Sequence, residues 1–193
     1  MINKRKLEER QERKIRILKG ALNVFRDVGI EKTTMDEIAI ESGFGKATLY
    51  YYFSSKDDVF IDIMEQGWKQ LWEGIESRIV EEVGQRKKFI GIIKKMGRIV
   101  TDDKVMYEFL FTAPNYIHDS DKQPWKTYQE RLYAILQSII EDGIKKKEFV
   151  DLNPGLLMKA IGGLFHQLLI SSDDDLKDDE FEVMLRNFLK PKK

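Results

Sequence analysis

The 193-residue chain carries 33 Lys or Arg and 33 Asp or Glu, so its formal net charge is zero, and 42% of its residues are hydrophobic. Because it has no cysteine and only two histidines, disulfides, thiolate zinc sites and cysteine nucleophiles are excluded, and a histidine-rich metal site is disfavoured. The apolar runs fall short of the ~18 residues of a membrane-spanning helix, and the charged start MINKRKLEERQER lacks the apolar core of a signal peptide. These features predict a cytoplasmic protein without a membrane partner.

Helical periodicity of apolar residues recurs along the chain, and no segment alternates as a strand would. The sequence predicts an all-α fold of about nine helices, with starts marked by a capping box at Thr34–Glu37, a cap at Ser55, and Asn153-Pro154. The first predicted helix ends at Gly29. The helices that follow are predicted to span about 34–41, 45–52, 55–84, 86–101, 103–113 and 125–143. Of the last two, one begins at 153 and the other spans 178–189.

Charge is distributed unevenly over these elements. Residues 1–30 carry nine basic and four acidic side chains, whereas residues 171–182, SSDDDLKDDEFE, carry seven acids and one lysine. A basic end suits a polyanionic partner, but such a run is also typical of a solvated helix face. The segment 1–13 fits a minor-groove arm, an extension of the first helix or a disordered arm equally well.

The second and third predicted helices are joined by a few residues that include glycine, which is the plan of a helix-turn-helix. Ala39, Gly43 and Leu49 lie at offsets of zero, four and ten within it. A small Ala39 lets the helices approach closely, Gly43 permits the left-handed turn, and Leu49 packs inward. The alternative interpretation is an ordinary corner between two helices of a helical protein.

The stretch GFGKATLYYYF, residues 43–53, contains unusually many aromatic residues for a short surface helix. If Leu49 and Phe53 face the core, the side chains between them lie mostly outward, and a DNA major groove admits one such helix. Lys46 and Thr48 are then predicted to read base edges. The tyrosine hydroxyls, and the helix starts at Thr34 and Lys56, are predicted to contact phosphates. The six predicted DNA-binding residues are Thr34, Lys46, Thr48, Tyr50, Tyr51 and Lys56. The competing interpretation treats the tyrosines as core and rim aromatics.

Six features between Ile15 and Asp62 form a set: ALNVF, the stop at Gly29, TTMDEIA, the Gly-Phe-Gly-Lys turn, TLYYYF and SSKDD. Together they resemble the N-terminal domain of the TetR/AcrR family of transcriptional regulators. The resemblance implies an all-helical homodimer with an N-terminal DNA-binding domain, a larger domain for a small effector, and DNA contacts at the same six positions. Gly45 stands where the family often has serine, and Tyr52 where histidine is frequent. Residues 141–169 look similar to the family's approach to its dimerisation helix.

We therefore predict a helix-turn-helix domain over residues 1–54 and an effector-binding and dimerisation domain, a helical bundle, over residues 55–193. Large aromatic rings in the second domain predict an apolar ligand pocket, although each ring is also an ordinary core candidate. The predicted ligand residues are Trp68, Trp72, Phe109 and Tyr128. Two glycines in mid-helix cost ~1 kcal/mol each against alanine, which close approach of a second copy would offset. The predicted dimer-interface residues are Gly162, Gly163, Phe165, Phe181 and Leu185.

The predicted function is a homodimeric repressor that a small, largely apolar ligand releases from a palindromic operator in double-stranded DNA. The long helix that begins near Lys56 would transmit ligand binding, because Trp72 lies ~24 Å further along it. No cofactor and no enzymatic activity are predicted. Two alternatives remain at this stage: a ligand-independent or architectural DNA-binding protein, and a Mg-dependent isoprenoid-type enzyme that uses Asp174, Asp175 and Asp178. The operator, the effector, the regulated genes and the sign of regulation are not encoded in any recognisable pattern.

Overall fold

The computed structural model describes residues 2–81, 84–113, 116–117, 123–171 and 178–191. Within these ranges the regular structure is entirely helical, which confirms the predicted all-α class. The helices are α1 (Ile2–Val28), α2 (Met35–Ser42), α3 (Lys46–Tyr52), α4 (Lys56–Glu81), α5 (Gln85–Asp102), α6 (Lys104–Thr112), α7 (Lys126–Lys145), α8 (Pro154–Phe165), a π-helical segment (His166–Ser171) and α9 (Asp178–Phe188). No helix in these ranges combines the length and apolar composition needed to cross a membrane.

The chain forms two compact units. The first unit comprises Met1–Gln66 together with Phe109–Trp125, and the second comprises Gly67–Glu108 together with Lys126–Lys193. Helix α4 contributes residues to both units. The domain boundary after residue 54 stays a prediction, since the compact units divide the chain at other places.

The first unit is built on close packing of α1 against α2. Buried residues on α1 include Ile17, Leu18 and Phe25, at the spacing of one helix face. A Cβ on Gly20 would lie 2.8 Å from the backbone nitrogen of Ser42, so this glycine is what allows the two helices to touch. The sequence did not predict this role of Gly20, because Ser42, which it contacts, lies on another helix.

Helix α1 begins at Ile2, so residues 2–13 are an extension of the first helix. Its side chains from Lys4 to Arg13 are exposed, and the exposed pair Arg5–Glu9 joins successive turns at 3.1 Å. Further along, the ammonium of Lys14 donates to Asp62 Oδ1 at 2.8 Å, which ties α1 to the start of α4. Of the three interpretations of the basic segment, the structure therefore supports an extension of the first helix.

The segment from Phe109 to Trp125 closes the first unit with aromatic rings. Phe60 on α4 has ring centroids of Phe109, Tyr116 and Trp125 within 5.9 Å, 5.1 Å and 5.7 Å. The Tyr116 hydroxyl donates to Asp57 Oδ1 at 3.0 Å. Burial and this hydrogen bond raise the pKa of Tyr116 to about 12. The start of α4 is therefore held by the segment that follows α6.

The second unit packs one apolar face of α5 against α7, the π-helical segment and α9. Helix α7 runs two residues past Gly143, where the sequence predicts its end. A Cβ on Gly143 would overlap the ring of Phe149, so this glycine serves close packing rather than chain reversal. The chain leaves the helix at Lys147, which takes a left-handed φ of 57°. Asn153 then caps α8 by accepting from the Leu156 N–H at 3.1 Å, as predicted, with Pro154 in the first turn.

Candidate nucleic-acid interface

The predicted capping box at the start of α2 is present. The Glu37 N–H donates to Thr34 Oγ1 at 3.3 Å, and the Thr34 N–H donates to Glu37 Oε2 at 2.7 Å. Hydrogen bonds from the Thr34 backbone and hydroxyl lower the pKa of Glu37. Thr34 is exposed, so its hydroxyl lies at the surface where a helix N-terminus also presents backbone N–H groups.

The turn between α2 and α3 has the geometry that its glycine predicts. Gly43 has φ 69° and ψ 34°, and the N–H of Phe44 donates back to Ala39 O at 2.9 Å. A Cβ on Gly43 would also collide with Arg16, whose guanidinium lies 4.9 Å from the Phe44 ring centroid. Ala39 and Leu49 are buried, at 2% and 0% exposure, as the helix-turn-helix prediction requires.

With Leu49 inside, the opposite face of α3 lies in solvent. The side chain of Lys46 is 65% exposed, Tyr50 is 54% exposed and Tyr51 is 69% exposed, whereas Thr48 is half-buried. Two tyrosines so exposed cannot be core residues. The core part of the competing interpretation is therefore wrong for Tyr50 and Tyr51, whereas Tyr52 is half-buried.

Lys46 has a partner that the sequence did not reveal. Its ammonium forms an ion pair with Asp36 on α2, and this hydrogen bond and the charge of Asp36 raise the pKa of Lys46. The two residues lie ten positions apart on different helices, so no local pattern connects them. A base contact by Lys46 would have to replace this ion pair.

The exposed ring of Tyr51 connects α3 to the basic helix α1. The Arg10 guanidinium lies 5.7 Å from the ring centroid, and the Tyr52 ring meets it edge-on at 5.2 Å. This contact holds the Tyr51 ring in place and adds a cation beside α3. Arg10 was not among the predicted DNA-binding residues, because only the basic composition of its segment was visible.

Lys56 is engaged inside the chain. Its ammonium donates to three carbonyl oxygens of the loop before α2, Ile30 at 2.9 Å, Glu31 at 2.5 Å and Thr33 at 3.1 Å. An ammonium has three N–H donors, so these bonds use all of them. The phosphate contact predicted for Lys56 would have to compete with these carbonyl groups, and the contact stays a prediction.

Residues 17–63 match the family model described as bacterial regulatory proteins, tetR family. The matched segment contains the C-terminal part of α1, all of α2 and α3 and the start of α4, and thus the turn and the exposed face of α3. The match confirms the predicted resemblance of this segment to the TetR/AcrR family of transcriptional regulators.

Two curated relatives and one solved structure extend this likeness along the chain. The chain is 28% identical over 173 residues to the uncharacterized HTH-type transcriptional regulator YfiR of Bacillus subtilis (strain 168), covering 80% of this chain and 82% of YfiR. It is 28% identical over 178 residues to the biofilm operon icaADBC HTH-type negative transcriptional regulator IcaR of Staphylococcus aureus (strain Newman), covering 91% of this chain and 80% of IcaR. The structure of AibR in complex with isovaleryl coenzyme A and operator DNA shares the fold, with a TM-score of 0.78 at 18% identity over 92% of this chain and 97% of AibR. This TetR-family chain is a DNA-binding transcriptional regulator.

Three of the four ligand residues predicted for this TetR-family regulator lie in the second unit. Trp68 and Trp72 are buried, and the Arg131 guanidinium lies 4.7 Å from the Trp72 ring centroid. Tyr128 is half-buried on α7. Phe109 is the exception, because it lies in the first unit, stacked 5.9 Å from Phe25. The assignment of these four residues to a ligand site stays a prediction.

The five predicted interface residues divide into two groups. Gly162 and Gly163 are exposed, and no atom lies within 4 Å of a Cβ built on either. Phe165, Phe181 and Leu185 are 6%, 4% and 0% exposed, and the two phenylalanine rings pack 6.4 Å apart within the chain. These three side chains are buried within one protomer, and their assignment to a dimer interface stays a prediction. Only the two glycines remain open to a second copy.

Of the three aspartates in the Mg-dependent enzyme alternative, one lies within the described residues. Asp174 and Asp175 lie outside the described residues, and Asp178 begins α9. Among the residues that the structure describes, no three His, Cys, Asp or Glu side chains are grouped so that they could hold a metal ion.

Proposed function

We propose that this regulator is a homodimeric repressor that leaves a palindromic operator when a small, largely apolar molecule binds in its second unit. The observation that carries the proposal is the exposed face of α3 behind a glycine turn, with Leu49 anchoring the helix from inside. The relative IcaR is named a negative regulator, and AibR was solved with operator DNA and isovaleryl coenzyme A. The first name supports a negative regulator, and the second supports a regulator that binds both a ligand and operator DNA.

On DNA, α3 enters the major groove and the flanking helix starts contact the backbone. Lys46 exchanges its Asp36 partner for a base edge, and Thr48 reads a neighbouring base. The hydroxyls of Tyr50, Tyr51 and Thr34 contact phosphates and set the register without reading sequence. The Arg10–Tyr51 contact keeps one of these hydroxyls on a fixed ring.

The effector binds beside the α4 indoles, where the interior is apolar and rich in aromatic rings. Trp68 and Trp72 lie on the part of α4 that belongs to the second unit, whereas Lys56 begins the same helix in the first unit. A ligand that shifts the indole end of α4 moves its start, and with it the loop that Lys56 holds. Two recognition helices must enter major grooves ~34 Å apart, so a changed spacing costs both sets of contacts.

The decisive experiment measures sequence preference rather than binding alone. Duplexes selected by the wild-type protein from a random pool are compared with scrambled duplexes by fluorescence anisotropy at fixed salt. Lys46→Ala should reduce the ratio of the two affinities by roughly tenfold to a hundredfold, because one base contact is lost. Lys126→Ala, an exposed lysine of the second unit, is the matched control and should leave the ratio unchanged. An undiminished ratio in Lys46→Ala would refute the assignment of α3 as the reading helix.

The same selected duplex tests the role of the ligand and the sign of regulation. Placed across a promoter in a purified transcription reaction, the duplex should lower transcript yield when wild-type protein is added. Candidate apolar ligands that raise the thermal midpoint of the free protein should restore the yield. Full repression at a saturating ligand concentration would favour the alternative of a ligand-independent DNA-binding protein.

A further inference from the structure

The second unit contains a cavity of about 670 Å³ whose lining is strongly cationic. Its walls come from α5, from the turn after α7 and from α9. Seven lining residues are Lys or Arg and two are Glu, which leaves a formal excess of five positive charges. The volume lies within the range of ~300–1,000 Å³ that is typical for small-molecule sites. The indoles of α4 do not line this cavity, so it is separate from the effector site proposed above.

Helix α5 supplies most of the charge through its sequence QRKKFIGIIKKMGR, residues 85–98. Its buried residues are mostly apolar, and positions 87, 91, 94 and 98, which line the cavity, recur at three- and four-residue spacing along one face. The α5 cations that line the cavity are Arg86, Lys87, Lys94, Lys95 and Arg98. Gly91 lies among them without a side chain, which leaves the middle of this face open.

Hydrogen bonds fix the three walls to one another. Arg86 Nη2 donates to the carbonyl oxygen of Arg186 on α9 at 3.0 Å, and the Arg86 N–H donates to Glu148 Oε2 at 3.0 Å. The Val150 N–H donates to the carbonyl oxygen of Leu189 at 3.0 Å. The cavity is therefore formed by the fold itself rather than by loosely placed surface chains.

The two carboxylates offset only part of the positive charge that lines the cavity. Glu182 is paired with Lys94 and with Arg186, and these contacts lower its pKa. Glu148 accepts from the first turn of α5. Within the described ranges, no carboxylate or carbonyl oxygen pairs with the ammonium groups of Lys87, Lys95 or Lys147. Like charges grouped around a cavity repel one another, and a bound polyanion would relieve that repulsion.

We propose that this cavity binds a small molecule that carries two or more phosphate groups. A single carboxylate would engage one or two of the cations, whereas linked phosphates offer enough oxygens and charge for lysines and arginines on three walls. A concave cavity of this volume suits a small ligand rather than duplex DNA, which needs an extended strip of cations. The regulator would thus have a second, anionic input besides the apolar effector.

The test uses sodium tripolyphosphate as the probe in isothermal titration calorimetry with the full chain, and sodium sulfate at equal ionic strength as the reference anion. Wild-type protein should bind one tripolyphosphate per chain saturably, with an affinity that falls as salt rises. The double variant Lys87→Ala/Lys95→Ala should bind roughly tenfold more weakly or worse. The double variant Lys69→Ala/Lys126→Ala removes the same charge elsewhere and should bind like the wild type.

Two further variants keep the outcome unambiguous. Gly91→Leu adds bulk to the cationic face without changing charge and should also abolish binding, with a thermal midpoint that shows whether the chain is folded. Lys46→Ala should bind tripolyphosphate like the wild type. Equal binding by Lys87→Ala/Lys95→Ala and wild type, or binding lost in Lys46→Ala and displaced by duplex DNA, would overturn the proposal. The absence of saturable binding to the wild type would overturn it as well.

Discussion

At the scale of single residues, Lys56 shows how one cation can hold a loop in place through hydrogen bonds within the chain. Its three hydrogen bonds hold the carbonyl groups of residues 30, 31 and 33 in the loop that leads into α2. The Thr33 hydroxyl adds a fourth constraint by donating to the Gly29 carbonyl oxygen at 2.8 Å. The loop sets where the Thr34 cap lies, so the position of α2 depends on Lys56.

We expect Lys56→Met to lower the free energy of unfolding by ~1–3 kcal/mol, because it leaves three carbonyl groups, two of them partly buried, without their donor. Urea denaturation measures this loss, and Lys32→Met, an exposed lysine of the same loop, is the control. DNA titrations of the same variant at several salt concentrations test the phosphate contact predicted from sequence. That contact requires the salt slope to fall by about one unit, whereas a purely internal role leaves the slope unchanged.

At the scale of elements, α2 depends on the reciprocal bonds between Thr34 and Glu37. Thr34→Ala should cost ~1 kcal/mol of stability, and Thr34→Ser, which keeps the hydroxyl, should cost much less. The pKa of Glu37 in the folded chain is lowered from its ordinary 4.5. The capping contribution is therefore fully present above pH 4.5 and is lost as the pH falls through the lower, folded value.

Thermal unfolding of wild type and Thr34→Ala across this acidic range measures the effect. The difference between their thermal midpoints should shrink as the pH falls below 4.5. A difference that stays constant would mean that the charge of Glu37 contributes nothing to the cap. Thr34 is also a predicted phosphate contact. Thr34→Ser keeps the hydroxyl and removes the methyl group, so its DNA affinity shows which of the two groups contributes to binding.

The elements that the sequence predicted well are those with local signals. The Thr34–Glu37 box, the turn at Gly43 and the start at Asn153-Pro154 are each specified by residues within a few positions of one another. The exposed face of α3 was also predictable, since one buried leucine and the helical period determine the direction of its neighbours. Local rules therefore gave the architecture of the candidate DNA surface.

The remaining features depend on partners distant in the chain. From its local sequence Gly143 is predicted to end a helix, whereas in the structure it makes room for the ring of Phe149. The local sequence likewise gives no sign that Lys46 pairs with Asp36. Apolar periodicity predicts that Leu185 is buried but does not show whether its own chain or a second copy covers it. The cationic cavity escaped prediction for the same reason, because its walls come from three separate segments.

At the scale of the whole molecule, a formal net charge of zero conceals two separate cationic surfaces. One is the exposed basic part of α1, which meets α3 where Arg10 approaches Tyr51. The other surrounds the cavity beside α5. Their partners differ by geometry, since an open helix face suits a duplex and a concave site suits a small anion. Lowering the salt concentration should therefore strengthen both interactions, and only variants of the individual surfaces separate them.

Dimer formation is the property on which the operator geometry depends. A Cβ at position 163 would have no atom of the described residues within 4 Å, so we expect Gly163→Trp to leave the protomer folded. If α8 meets its copy across the two-fold axis, the indole would prevent close approach and convert the dimer to monomer in sedimentation velocity. Affinity for a two-site operator should then fall by ~10²–10⁴, because the second half-site is no longer bound by a linked subunit. Gln70→Trp, at an exposed position of α4, is the control and should stay dimeric. A Gly163→Trp protein that sediments as an unchanged dimer would place the interface elsewhere.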